Sequence, residues 1–511
     1  MCAILFTNDQ KIAKSKFLSA LGLMEHRGPD APAGYFQKGP FQLGHNRLKI
    51  LDLNDRSNQP FFSHDGRWVI IFNGEIYNYQ ELAKKYDLSL RTTSDTEVLL
   101  ELYLCLGPKM LDELNGMFAF VVADFATQDF FMARDRLGVK PLYFIEGDGT
   151  ITAASEIAPL LGFLKDASFD PRGVRQYLKL RTFFGGCTLY KNVKMFPAGH
   201  YMTGGRMKCW WQLPKVHQEP PDDEELRVLL RSAVAYRCLS DVPVGSYLSG
   251  GLDSTIVTGL AAQPHTWTVG FKDDNEFAWG RLAAEKFKSI HFEVLITKDE
   301  FVPLARDMIQ KRREPLSVPN EVLLYTMTRA VKKNNTVVLS GEGADELFFG
   351  YDRIFRWAAQ NPWDLRQFSE LYSYGSRDDL EIVEEAVGPF LQYGKAIDIV
   401  AAFFQTAHLH GLLRRLDNAT MMASVEARVP FCDYRLVERM AGVSMDYRMA
   451  DGVVKAPLKR IFRDIVPSEI IGREKIGFPV ELKTIDFGPS RAATPMDKWF
   501  NFNLEQLGVP L

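Results

Sequence analysis

Short apolar runs broken by glycine, asparagine and aspartate fill the first two hundred residues, whereas longer alternations of apolar strand and amphipathic helix fill much of the rest. In the first part, Cys2–Phe6, Phe41–Leu51, Trp68–Phe72, Met117–Asp124, Phe130–Arg134, Leu142–Ile145 and Ile151–Ala154 read as strands bounded by turn formers. Two helical patterns interrupt them, near Lys11–Glu25 and Thr96–Leu106. Such a series predicts a layered α+β domain with sheet packed on sheet. Pro214–Pro221 is rich in proline and acid and reads as a linker. After it come helix Asp222–Leu239, strand Val242–Leu248 and helix Thr255–Ala262. Strands His265–Phe271, His291–Ile296 and Thr336–Ser340 then alternate with helices Phe277–Lys288 and Val322–Lys333. This alternation predicts a parallel, Rossmann-like sheet. From about residue 353 onward the chain reads as mainly helical.

With 511 residues the chain exceeds what one core sustains, about 250–300 residues, so at least two domains are expected. Hydrophobic content of 46%, charged content of 24% and a net charge of −3 fit a globular protein and give no electrostatic case for nucleic acid or an anionic membrane. Six cysteines without a Cys-x-x-Cys pair argue against a zinc or redox motif and fit a reducing cytoplasm. No signal-peptide pattern or membrane-length apolar run is read from the sequence.

The chain opens Met1-Cys2. Loss of Met1 leaves one residue with both a thiol and a free α-amine, a nucleophile with its own base. A small buried residue in the first strand is the plainer alternative. Four more segments bear on the choice: Arg27-Gly28-Pro29-Asp30, His45-Asn46-Arg47-Leu48, Asn73-Gly74-Glu75-Ile76-Tyr77-Asn78 and Ser94-Asp95-Thr96-Glu97. Taken singly, each reads as a turn, a salt bridge or a helix cap. Together, in this order, they resemble the class II glutamine amidotransferase domain, an N-terminal-nucleophile (Ntn) hydrolase. The resemblance implies an α-β-β-α sandwich over residues 2–210, with Cys2 attacking the glutamine side-chain amide. It places Asn73 and the Gly74 N–H in the oxyanion hole, Arg47 on the substrate carboxylate, and Asp95 with Glu75 on its ammonium.

A second motif, Ser249-Gly250-Gly251-Leu252-Asp253-Ser254, joins a predicted strand to a helix, where backbone N–H groups suit phosphate. It lacks both the Walker A ending and the G-x-G-x-x-G spacing, and a simple tight turn is the alternative. It resembles the pyrophosphate loop of N-type ATP pyrophosphatases, with Asp253 placing Mg²⁺. Ser340-Gly341-Glu342-Gly343-Ala344-Asp345-Glu346 is similar to the second signature of the asparagine synthetase family. That likeness implies a metal-associated Asp345 and an acceptor side formed by Glu342, Glu346 and Arg415. It also implies an adenosine pocket made by Tyr247, Leu248, Val269, Ser340 and Gly341. Leu416-Asp417-Asn418 and Val425–Phe431 match the same family, and Lys455 falls at its charge-stabilising lysine. The resemblance spans about 2–480, with a linker at 211–225 and the synthetase part at 226–511.

The composite expectation is ATP- and Mg²⁺-dependent amidation of a carboxylate by glutamine. An acyl-adenylate forms, ammonia from the Cys2 site attacks it, and a shielded passage keeps that ammonia unprotonated. Small molecules are the expected partners, with a homodimer allowed for. Two features concern the acceptor. Leu412 stands where some asparagine synthetases carry an acid, although many bacterial relatives also have leucine there. Glu314-Pro315-Leu316-Ser317-Val318-Pro319-Asn320 looks like the version found in relatives of surface-polysaccharide and other specialised pathways. Aspartate and a uronic or other metabolite acid therefore both stand as acceptors. A plain glutaminase or an ATP-binding regulator is the reading from another class.

Overall fold

The computed structural model describes residues 2–473, 480–488 and 492–510. Met1, whose removal the first motif calls for, lies outside them. Two antiparallel six-stranded sheets make up the first part. One contains β1 (Ala3–Thr7), β2 (Gly34–Lys38), β3 (Phe41–Asn46), β8 (Tyr143–Gly147), β9 (Thr150–Ala154) and β10 (Lys194–Met195), ordered β10-β8-β9-β1-β3-β2. The other contains β4 (Phe61–Phe62), β5 (Trp68–Ile76), β6 (Gly116–Asp124), β7 (Asp129–Arg134), β11 (His200–Thr203) and β12 (Arg206–Cys209), ordered β12-β11-β7-β6-β5-β4.

Alternation along the strands decides the packing. Ile4, Phe6, Phe41 and Leu43 meet Val69, Ile71, Ala119, Val121 and Ala123 between the sheets. The other face of the second sheet carries Ile70, Phe72, Phe118 and Phe120, and packs on Val98, Leu99 and Leu102 of the helix Asp95–Leu106. Phe17, Ala20 and Leu21 of the helix Lys14–Gly22 share a core with Ala3 and Leu5 of β1 on the opposite side. The result is the α-β-β-α sandwich expected.

The second part is built on a parallel sheet of β13 (Val244–Tyr247), β14 (His265–Gly270), β15 (Ile290–Leu295), β16 (Val337–Leu339) and β17 (Glu426–Arg428), ordered β15-β14-β13-β16-β17. The order reverses beside β13, between β14 and β16, and this is where a doubly wound sheet opens a crevice at its carboxyl ends. Both glycine-rich motifs follow those central strands. The tail from about residue 353 is mainly helical as expected, and β17 is the strand among its described residues. Glu-Ala-Arg has no strand-like apolar pattern, yet all three residues are buried because Arg428 Nε donates to Glu426 Oε1 at 2.5 Å.

The absence of a membrane-length apolar run needs correcting. The helix Ala396–Met421 meets that test by length and composition, but 61% of its apolar window is buried within the protein. It is a core helix with a π-helical turn at Phe404–His408.

Candidate active sites

Cys2 precedes β1 and is 8% exposed. Its backbone N–H donates to Asn73 Oδ1 at 3.1 Å, which fixes the nitrogen that becomes the α-amine once Met1 is lost. Burial pushes the Cys2 thiol up, so a thiolate needs a nearby base. Asn73 Nδ2 is buried without a hydrogen-bond partner among the described residues. Its neighbour supplies a second donor. Strand alternation turns the N–H groups of Phe72, Gly74 and Ile76 to the same edge of β5. Phe72 donates to Gln59 Oε1 and Ile76 to Asp95 Oδ2, while the Gly74 N–H between them has no partner among the described residues. Two unanswered donors beside a thiol are what an oxyanion needs. Gly74 must lack a side chain, since a Cβ there would lie 2.1 Å from the Met117 carbonyl oxygen.

Glu75 and Asp95 are buried with Glu426 of the other half. Burial first, and then the charge of Glu426, pushes Glu75 well above the usual carboxylate range; burial carries Asp95 up to about 7. Arg428 is the cation facing this group, its Nη2 lying 3.5 Å from Glu75 Oε1. Three acids around one guanidinium suit an incoming ammonium. Arg47 differs from expectation. Its Nη1 donates to Asn54 O and Asn58 Oδ1, and its Nη2 to Leu51 O and Asp52 O. A substrate carboxylate must displace some of these bonds.

The second site is a cavity of about 580 Å³ at the ends of β13 and β16. Ser249 and Ser254 hydroxyls lie 3.1 Å apart, and the Gly251 N–H donates to Ser249 Oγ. The helix Leu252–Ala261 starts directly behind. Gly250 has φ of 71°, and a Cβ there would lie 2.3 Å from the backbone of Trp279. The second loop interlocks with the first, because Gly341 closes to 3.0 Å of the Ser254 nitrogen by the same measure. Tyr247, Leu248 and Val269 are buried along one wall, with Ser340 beside them.

Asp253 and Asp345 meet across Lys455, whose Nζ lies 2.5 Å from one and 2.6 Å from the other. Burial pulls this ammonium down, but the two carboxylates outweigh it and hold it above the ordinary value. A Cβ on Gly350 would fall 1.8 Å from Asp345 Oδ1 and 2.5 Å from Lys455 Cε, so that glycine permits the cluster. Two hard carboxylates beside a phosphate cradle form a donor set that fits Mg²⁺. Arg415 pairs with Glu342 at 2.6 Å and reaches Asn320 at 3.4 Å. Glu346 accepts from Tyr351 at 2.6 Å, and burial followed by the charge of Asp345 pushes it up to about 8.

Sequence reasoning singled out the segments that hold Arg27, Asp417 and Arg428 but not their part in joining the two sites, and it missed Lys140. The Arg428 carbonyl accepts from the Ser340 N–H at 2.8 Å, while its side chain faces Glu75. Arg27 donates to the Cys2 carbonyl at 3.2 Å and to Asp417 at 2.8 Å, and Lys140 approaches Asp417 at 3.3 Å. Asp417 lies on Leu409–Met421, the segment whose Leu412, Arg415 and Leu416 line the cavity. One buried helix is thus held by ion pairs toward the Cys2 side and open on the other.

This is the arrangement of a glutamine amidotransferase joined to an ATP-using synthetase. The glutamine amidotransferase domain model matches residues 1–211, and the asparagine synthase model matches 225–500. A glutamine-hydrolysing asparagine synthetase of Bacillus subtilis is 30% identical, over 90% of this chain and 83% of its own. A putative one of Mycobacterium tuberculosis is 30% identical, over 92% and 85%. Asparagine synthetase B of Escherichia coli is 29% identical, over 94% and 82%. The chain belongs to the asparagine synthase family, an ATP-dependent ligase whose reaction class is glutamine-dependent amide synthesis.

Proposed function

We propose that residues 2–210 release ammonia from glutamine and residues 226–511 use it to amidate an adenylated carboxylate, with 211–225 as the linker. In the mature chain the Cys2 α-amine takes the thiol proton, and sulfur attacks the glutamine side-chain carbonyl. Asn73 Nδ2 and the Gly74 N–H receive the oxyanion. The proton returns to the departing ammonia, and water then hydrolyses the thioester to glutamate. Asp95, Glu75 and Glu426 face the substrate ammonium, and Arg47 its carboxylate.

In the cavity the acceptor carboxylate attacks the α-phosphorus of ATP, displacing pyrophosphate onto Ser249, Gly250, Gly251 and Ser254. Ammonia adds to the acyl carbon and AMP leaves with its oxygen, giving amide, AMP and a proton. Mg²⁺ held by Asp253 and Asp345 would neutralise phosphate charge, and Lys455 answers the charge that grows on the phosphates and the acyl centre. The observation that carries this reading is the Asp253–Lys455–Asp345 cluster beneath the phosphate loop. Measurement of AMP and pyrophosphate tests it; formation of ADP and phosphate overturns it. The six free cysteines support a reducing compartment such as the cytoplasm, and sedimentation tests for a homodimer.

The relatives' names make aspartate the first acceptor to try. A second reading, a carboxylate other than aspartate such as a uronic acid, is favoured by the cavity wall. Leu412 is apolar, and the lining acids are already answered: Glu342 by Arg415, Glu276 by Arg473, Asp253 and Asp345 by Lys455, and Glu346 by the Tyr351 hydroxyl. Among the described residues, no acid of that wall is left over for an amino acid's ammonium.

A further inference from the structure

Among the described residues, two cations of the cavity lining, Arg181 and the half-buried Lys459, have no ion pair, and Arg181 is the more buried of them. It follows the helix Pro171–Leu180 of the amidotransferase half, in left-handed backbone with φ of 61° and ψ of 0°, and is only 9% exposed. Its guanidinium stacks over the Tyr374 ring at 4.0 Å, and both residues line the cavity. Among the described residues it makes no ion pair and no side-chain hydrogen bond. A guanidinium so nearly buried is costly without an anion, because desolvation removes water that nothing replaces. The stacking lowers that cost without neutralising the charge.

The neighbours of Arg181 lie on the acceptor-side elements. Thr182, its neighbour, accepts from Arg414 at 3.1 Å and packs against Gly411 of Leu409–Met421, the segment that presents Leu412 and Arg415 to the cavity. Behind Tyr374, the Tyr372 hydroxyl bonds His408 Nδ1 at 3.0 Å, and His408 Nε2 lies 3.7 Å from Glu346. Arg181 is therefore grouped with the segment of Leu412 and Arg415 and with Glu346, the acceptor-side candidates. There the wall offers a spare cation and, as shown above, no spare acid.

We propose that the acceptor is a carboxylate carrying a second anionic group and no ammonium, and that Arg181 holds the second anion in a fork-shaped pairing. The proposal rests on the second reading of the acceptor given above. One carboxylate would be adenylated beside Lys455 while the other charge, a carboxylate or a phosphate, docks between Arg181 and the Tyr374 edge of the cavity. Residues of the amidotransferase half would then help to choose the substrate of the synthetase half.

The test is pyrophosphate release by the full-length enzyme with ATP and two pairs of acids that differ only in the second anion: succinate against succinamate, and glucuronate 1-phosphate against glucuronate. Aspartate against succinate reads the effect of the ammonium. The dianion of at least one pair should exceed its partner by roughly 10–100-fold in kcat/KM, the range for a charge-assisted pair, and succinate should equal or exceed aspartate. Arg181→Gln should collapse the difference within the pair through KM, and Arg181→Lys should restore part of it; melting curves check that both variants fold. Equal use of both members of each pair, preference for aspartate over succinate, or an equal loss on both members in Arg181→Gln overturns the proposal. If pyrophosphate appears under any of those outcomes, amide synthesis stands and only the acceptor assignment fails. If no acid in the panel, aspartate included, yields AMP and pyrophosphate, the synthetase reading itself falls and this inference with it.

Discussion

The two sites answer charge in opposite ways. Beside Cys2 three buried acids, Glu75, Asp95 and Glu426, face Arg428, while Arg27 is paired with Glu156 and Asp417 and Arg47 is held by four oxygens. The cavity at the ends of β13 and β16 is open; among the described residues its acids are answered, and Arg181 and Lys459 stand over without an anion. The first imbalance complements the ammonium of a free amino acid, and the second complements phosphates and an anionic acceptor. An enzyme that passes only neutral ammonia between two such places can keep their fields distinct. The wall between them carries paired charges, Arg27 and Lys140 against Asp417.

The largest expected effect breaks one side alone. Lys455→Met keeps the apolar stem and removes the charge, so amide synthesis should fall about 10²–10³-fold with either glutamine or ammonium. Coupled assays for AMP should show this while glutamate formation continues. Near-normal AMP formation would leave Lys455 as a structural counter-ion for the two aspartates.

Asp417→Ala attacks the wall. It strands the buried Lys140 and leaves Arg27 with Glu156 alone, and should cost about 3–5 kcal/mol of stability by denaturant titration. The milder Asp417→Asn should fold, and should lower glutamine-dependent synthesis more than ammonium-dependent synthesis. Equal effects on both would make the pair purely structural.

Arg428→Lys sharpens the comparison, because that residue touches both places. Its side chain answers Glu75 and Glu426, and its carbonyl accepts from Ser340. Lysine cannot reproduce the fork, so glutamine KM should rise by about tenfold while the KM for ATP changes little. A larger change for ATP than for glutamine would contradict the assignment of the side chain to the Cys2 side.

The smallest effect concerns Glu346. Its ordinary value is 4.5 and burial pushes it up to about 8. Between those values the native state holds a proton that the unfolded chain has lost, so this group's contribution falls as pH rises from 4.5 through 8. Glu346→Gln should flatten the decline of melting temperature over that window. An unchanged slope would show that Glu346 is ionised in the folded protein.

What the sequence revealed follows from the range of the interactions. The serine-glycine loop and the Gly341 loop were legible because each chemistry sits within six or seven consecutive residues between a strand and a helix. Cys2, Asn73 and Asp95 were legible only as an ordered set. β17 was hidden, since a buried Glu-Ala-Arg strand defeats hydrophobic patterning when its charges answer each other. The double role of Arg428 and the reach of Arg181 into the other half's cavity were hidden too. Both depend on contacts between residues hundreds of positions apart, and nothing local marks them. Arg47 was legible through the resemblance as a group for the substrate carboxylate, but not the four oxygens that hold its terminal nitrogens.

The most direct test of the central claim, that nitrogen freed at Cys2 is consumed in the ATP cavity, is product analysis of Cys2→Ala. The assay uses ATP, the best acceptor from the pyrophosphate screen, and either glutamine or an ammonium salt. The account predicts amide, AMP and pyrophosphate at close to wild-type rate with ammonium, and neither amide nor glutamate with glutamine. Amide formed from glutamine at an undiminished rate, or loss of the ammonium reaction in a folded variant, would contradict it.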